Sequence, residues 1–320
     1  MNTRQKKKLA LFNKFSKNLA FVRNYPGVSI QSKDDNYSSA DSEYLCPLSL
    51  KLFNQEGLND IYTDHLTLEH SPPNSLKGHV VALTAKDSNS KGGHLLDHKL
   101  RTFVEVREFT MGVTPMKTKF FFDDTIGIPV EISTKSNPTF HFRPPSMHPG
   151  AKKLVEYFSV EGNSINFKVN IPNPKADISL LRVAYLIAFG TLGYSFLLGK
   201  SIPQLRDQIN SPEKKIVNDI PLFYEGFPDE LLGVNIITKP FEIRSLLVVF
   251  DLELNEKHRF GVVLPGPDSY GLKAYQEFNK YRKNYINFNA RNLSKEVDIT
   301  NPDHAMKFFS IWQEVFEGKQ

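Results

Sequence analysis

The chain has 320 residues, 40% of them hydrophobic, with 40 Lys and Arg against 35 Asp and Glu for a net charge of +5. That length allows two compact domains around a large buried core and excludes predominant disorder, and the modest charge excludes a polycation that coats nucleic acid by charge alone. A single cysteine, Cys46, excludes a disulfide scaffold and a cysteine-rich zinc module, and makes the cytoplasm the expected compartment.

The first 33 residues carry Arg4, Lys6, Lys7, Lys8, Lys14, Lys17, Arg23 and Lys33 before the first acid, Asp34. Leu9, Phe12, Phe15 and Leu19 recur between these cations at helical spacing, which predicts a basic amphipathic helix. Its cations suit phosphates, anionic lipid or a partner; its apolar stripe equally suits packing on its own protein. No uninterrupted apolar region follows the cations, so a secretory signal is not expected. Residues 31–42 (QSKDDNYSSADS) read as a polar linker, so residues 1–42 form one segment of helix and linker.

A compact module is expected over residues 43–101, followed by an α+β region over residues 102–320. Strand-like runs begin at Thr102 (TFVEVREF), Lys117 (KTKFFF), Ile128 (IPVEIS) and Ile165 (INFKVNI). Leu180 to Leu198 (LLRVAYLIAFGTLGYSFLL) has the length of a bilayer span, but Arg182 interrupts it, two glycines break it, and Asp177 stands where a helix N-cap would be. A core helix, and no membrane partner, is therefore expected. Two further strands follow at Ser245 (SLLVVFDLE) and Arg259 (RFGVVLP), then helices over Gly271 to Tyr285 and Ala305 to Phe316. The pattern is α+β throughout.

Asp64 to Leu100 holds five of the nine histidines. Glu69-His70 sets a carboxylate beside an imidazole, Pro72 and Pro73 follow, VVAL reads as a strand, and AKDSNSKGGHLLDHKL begins a helix with Asn89 in its first turns and His94 five residues on. These types in this order suit phosphodiester hydrolysis: Glu69 and Asn89 binding a divalent cation that neutralises the scissile phosphate, His70 taking the proton of the attacking water. Adjacent strand residues point to opposite faces, so Glu69 and His70 share a metal only if the chain bends there. Oxygen ligands with one imidazole suit Mg²⁺ or Mn²⁺, whereas recruitment of His94 and His98 would favour Zn²⁺ or Ni²⁺. Taken singly, His70 reads as a loop histidine, Asn89 as a helix cap and Gly92-Gly93 as a turn; Asp64-His65 competes with Glu69-His70 but lacks the prolines.

The run E-H-x-P-P, a strand, then N-x-x-x-G-H-x-x-D resembles the HNH (ββα-metal) endonuclease superfamily, in particular bacterial members reading E-H-x-P-P-K-S…C-x-x-C-N…G-H-x-x-D. It covers about a fifth of the chain. LTAKDSN is also similar to the HNH domain of the CRISPR RNA-guided nuclease. The resemblance implies a ββα-metal module, Glu69 and Asn89 as metal ligands with His94 in the third signature position, and His70 as general base. Relatives often hold a structural zinc in two C-x-x-C knuckles; here the four positions read Cys46, Ser49, Ala85 and Ser88, so no structural zinc is expected.

The resemblance further implies a DNA substrate, with Lys77, Lys86 and Lys91 as candidate phosphate contacts and a homodimer or second visit for a double cut. By family analogy alone, residues 102–320 regulate, sense or bind a partner, such as an ATPase or sensor subunit of a bacterial antiphage system. Two alternatives stand beside the DNA nuclease: a catalytically inactive HNH-scaffold binding protein, favoured by the missing cysteines, and an RNA nuclease using the same chemistry.

Overall fold

The structure, a computed structural model, describes residues 2–30, 32, 43–121, 127–135, 139–142, 176–224, 226–281 and 287–316. Most of the expected linker and the strand expected from Ile165 lie outside these residues. The fold is α+β, as its sequence pattern implies.

Helix α1 (Thr3–Arg23) starts with a capping box: Asn2 Oδ1 accepts the Gln5 N–H at 2.9 Å, and Gln5 Oε1 accepts the Asn2 N–H. Phe12, Phe15, Leu19 and Val22 are buried on one stripe, so the apolar side packs on its own protein while Lys6, Lys7 and Lys17 stay exposed. Burial of each such side chain stabilises by about 1.5–3 kcal/mol. Lys8 is the exception among the cations. It is buried, pairs with Asp60 and donates to the Leu58 carbonyl.

Strands β1 (Tyr44–Leu45) and β2 (Leu52–Phe53) form a small antiparallel pair. The antiparallel hairpin β3 (Leu66–Ser71) and β4 (His79–Ala85) runs directly into helix α2 (Lys86–Gly92), a π-turn (Gly93–Asp97) and helix α3 (His98–Thr110). The segment from Thr102, expected as a strand, is therefore helical. TFVEVREF satisfies both periods, but Leu100, Val104 and Glu108, spaced by four, are buried together with Phe109, and Arg101 pairs with Glu105 one turn on.

The apolar run forms helix α4 (Asp177–Leu192), almost wholly buried, and stops at Gly193, whose φ of +62° starts the short helix α5 (Tyr194–Leu197). Among the described residues no helix is long and apolar enough to cross a membrane. Helix α6 (Ile202–Asn210) follows. A five-stranded sheet then has the order β12 (Asn289–Asn292), β9 (Gly233–Lys239), β10 (Ser245–Glu253), β11 (Lys257–Pro265), β8 (Leu222–Tyr224). Helices α7 (Lys273–Tyr281) and α8 (Lys307–Phe316) complete the C-terminal part.

Compact units do not follow chain order. One unit contains residues 1–98, 176–252 and 258–320; the other contains 99–175 and 253–257. The second holds the antiparallel strands β5 (Met116–Phe121), β6 (Gly127–Lys135) and β7 (Thr139–Phe142). In it the buried Glu108 carboxylate accepts the backbone N–H groups of Asn255 and Glu256, both at 3.0 Å.

The first unit is organised by aromatic rings. Phe15 stacks on Phe189 at 4.8 Å, and Tyr44 and Tyr194 meet them edge-on. Each tyrosine hydroxyl serves both backbone groups of one strand residue: Tyr44 those of Leu83 (2.7 and 3.0 Å), Tyr194 those of Leu45 (2.8 and 2.9 Å). Asn18 fixes the helix break, accepting the Tyr194 N–H at 2.9 Å and donating to the Ile299 carbonyl at 3.1 Å. A Cβ added at Gly193 would collide with Asn18 Oδ1, in a backbone region open almost only to glycine. Gly193→Ala is expected to destabilise by about 2–4 kcal/mol, read as a lower urea midpoint at unchanged slope.

Candidate functional site

The geometry begins with the register of the hairpin. Leu68 faces Leu83, and because Leu83 gives both backbone groups to Tyr44, this is a non-hydrogen-bonded pair whose carbonyls point outward. On the free edge of β3 the Leu68 carbonyl is taken by Asn89, whose Nδ2 donates to it at 3.3 Å and to Thr67 Oγ1 at 2.8 Å. A carbonyl only accepts, so the amide orientation is fixed. Asn89 Oδ1 is left with no partner among the described residues, which suits an oxygen ligand.

Between Glu69 and His70 the register shifts, leaving Val81 as the extra residue on β4. The strand then ends at Ser71, just before the prolines. Glu69 belongs to the face covered by α4. Its carboxylate is buried, with Oε2 accepting from Thr84 Oγ1 at 2.7 Å and Oε1 from Arg182 Nη2 at 2.8 Å. The other amino group of Arg182 reaches Asp97 in the π-turn at 3.0 Å. Burial pushes both carboxyls above the usual carboxylate range, and the guanidinium opposes it.

Three side chains and one absent side chain seat that guanidinium. One turn before Arg182, Ser179 donates to the Leu96 carbonyl at 2.9 Å; from β3, Ser71 donates to the Val183 carbonyl at 3.1 Å. Thr84 orients Glu69. Gly92 allows the approach, since a Cβ there would meet the guanidinium carbon. The Gly92-Gly93 doublet, read as a turn, thus includes a close-packing glycine at the end of α2. Arg182 itself was legible only as an interruption of an apolar run. The available signal was that a lone cation in a buried helix needs a buried acid.

His70 is half-buried and its side chain makes no hydrogen bond among the described residues. Burial, followed by the charges of Lys7 and His79, holds its pKa below the ordinary imidazole value, so it is neutral at pH 7. The competitor His65 is buried with Nδ1 at 2.6 Å from the Tyr62 carbonyl and Nε2 at 3.5 Å from Asp60, a structural position. Lys77 and Lys86 are exposed but flank β4 at opposite ends, about 20 Å or more apart by strand rise, so they do not form one patch. The side chains of His94 and Lys91 lie outside the described residues.

No group of three or more His, Cys, Asp and Glu able to hold a metal ion occurs among the described residues. Asn89 fits a hard-cation ligand. Glu69 does not, because both oxygens are engaged and a divalent ion on that carboxylate would stand about 5 Å from the guanidinium, a repulsion of about 7 kcal/mol at an effective dielectric near 20.

Cys46, Ser49, Ala85 and Ser88 lie in the same region of the first unit. Cys46 Sγ accepts the Ala85 N–H at 3.3 Å, and Ser49, Ala85 and Ser88 line one cavity of about 400 Å³. The Cys46–Lys51 turn closes through Leu50 N–H to Cys46 O and Cys46 N–H to Lys51 O, both 2.9 Å, with Leu50 at φ +58°. Tyr185 donates to the Pro47 carbonyl and Asn210 to the Leu48 carbonyl, both at 2.9 Å. Hydrogen bonds thus hold this turn. Compared with protein-family models, with curated proteins and with solved structures, the chain has no match in any of the three.

Two outcomes are expected. Arg182→Met leaves buried carboxylate without a cation and is expected to cost about 3–5 kcal/mol, whereas Glu69→Gln keeps Arg182 on Asp97 and costs about 1–2 kcal/mol; chemical denaturation of both variants checks the order. Strong chelators are expected to leave the thermal midpoint of the wild type unchanged, since no thiolate set holds the Cys46–Lys51 turn; a fall of several degrees would show a structural metal.

Proposed function

We propose that this chain is an HNH-type phosphodiester hydrolase acting on DNA, with His70 as its general base. The observation that carries the reading is the seating of Asn89, from α2, on the free edge of the strand that bears Glu69-His70, with its Oδ1 free of partners among the described residues. The Cys46–Ala85 contact and the cavity shared by Ser49, Ala85 and Ser88 also support it, because the alignment of the motif brings those positions to one region.

In this reading the residues act as follows. His70, neutral at pH 7, accepts a proton from the attacking water, which a protonated imidazole cannot do. Lys7 and His79, whose charges act on His70, would meet the anionic phosphate beside it. Asn89 offers its Oδ1 to a cation or a water molecule at the edge of β3. Glu69, held by Thr84 and Arg182, fixes the strand and enters no step.

A second reading, a nucleic-acid- or protein-binding module that keeps the scaffold without the activity, is favoured by that same engagement of Glu69. Cleavage of supercoiled plasmid and of structured RNA in Mg²⁺, Mn²⁺, Ni²⁺ and EDTA separates the alternatives. Nicking of plasmid by the wild type, reduced about 10²–10⁴-fold in His70→Ala and Asn89→Ala of unchanged circular dichroism, is the expected result. Preference for the RNA would move the substrate class, and a folded wild type that cuts neither substrate under any condition would leave the binding module.

A further inference from the structure

In the motif that Glu69 belongs to, the acid beside the histidine is the group that meets the metal. Here the space around that carboxylate is taken. Arg182 Nη2 stands 2.8 Å from Oε1, Thr84 Oγ1 2.7 Å from Oε2, and Arg182 Nη1 extends the contact to Asp97 at 3.0 Å. Glu69 and Arg182 keep only 2% and 4% of their side-chain surface exposed, while Asp97 keeps 29%. Gly92 and Arg182 also line the cavity of about 400 Å³. A guanidinium between two carboxylates satisfies the same charge requirement as a bound cation, and its planar fork fits both at once.

We infer that Arg182 is the resident cation of this site and that it denies Glu69 to divalent metal ions. The inference rests on the reading of Glu69 as the acid of an HNH-type motif. Its consequence is that the two carboxylates form a divalent-ion site only when the guanidinium is removed. Asp97, given by sequence as the last letter of the motif, then acts with Glu69 as a pair of oxygen donors that one cation joins.

Mn²⁺ binding to the full chain, followed by the electron paramagnetic resonance signal of the free ion, tests this without nucleic acid and without activity. In the wild type, Glu69→Gln is expected to change Mn²⁺ affinity by less than twofold. In Arg182→Gln, affinity is expected to rise at least tenfold, and the gain is expected to vanish in the Glu69→Gln/Arg182→Gln double variant. Folding of Arg182→Gln only in the presence of Mn²⁺ would support the same conclusion. A tenfold or larger loss of wild-type affinity in Glu69→Gln would overturn it, as would a folded Arg182→Gln that gains no site. Should Arg182→Gln fail to fold with or without Mn²⁺, the comparison of wild type with Glu69→Gln decides alone. Absence of plasmid cleavage by the wild type bears on the nuclease reading and leaves this measurement intact.

Discussion

A guanidinium buried between two carboxylates constrains everything around the hairpin. Arg182 sits in an otherwise apolar helix, and such a charge persists only with close counter-charges and well-formed hydrogen bonds. That requirement fixes the face of β3 that turns toward α4, the glycine at the end of α2, and the π-turn that delivers Asp97. Ser179 and Ser71 then lock the backbone on either side of the contact. The hairpin and α2 are in this sense a cap on α4. The packing also explains why residues 176–252 belong to the same compact unit as the motif, although 75 or more residues separate them in sequence.

Much of this was legible in the sequence where the signal is local. The VVAL strand and the helix entered at Lys86 are short-range patterns, as are the helical stripe of α1 and the long apolar helix. The register shift falls between Glu69 and His70, and nothing local in the sequence besides the prolines marks it. TFVEVREF was ambiguous because alternation and i, i+4 spacing coincide over eight residues, and partners four apart decided it. The Glu69–Arg182 contact spans 113 residues, and no local pattern encodes it. Strands β9 and β12 also pair at long range, and Asn289–Asn292 carries none of the β-branched residues that mark a strand.

The Cys46–Lys51 turn is held by hydrogen bonds alone. Its own backbone closes it around the left-handed Leu50. Tyr185 and Asn210, both from the region after residue 175, reach its carbonyls. The turn thereby depends on helices α4 and α6 as well as on its own backbone. This gives the part of the chain after residue 175 a structural role beside the hairpin.

The tyrosine hydroxyl on Leu83 has a consequence for self-association. A two-stranded sheet exposes two edges, and unpaired strand groups are the usual template by which one chain adds to another. On this hairpin the outward groups of β4 at Leu83 are closed by Tyr44, and the outward carbonyl of β3 at Leu68 is closed by Asn89. A second copy therefore finds no open strand register at the centre of the hairpin. Pairing of two copies by sheet extension there is disfavoured.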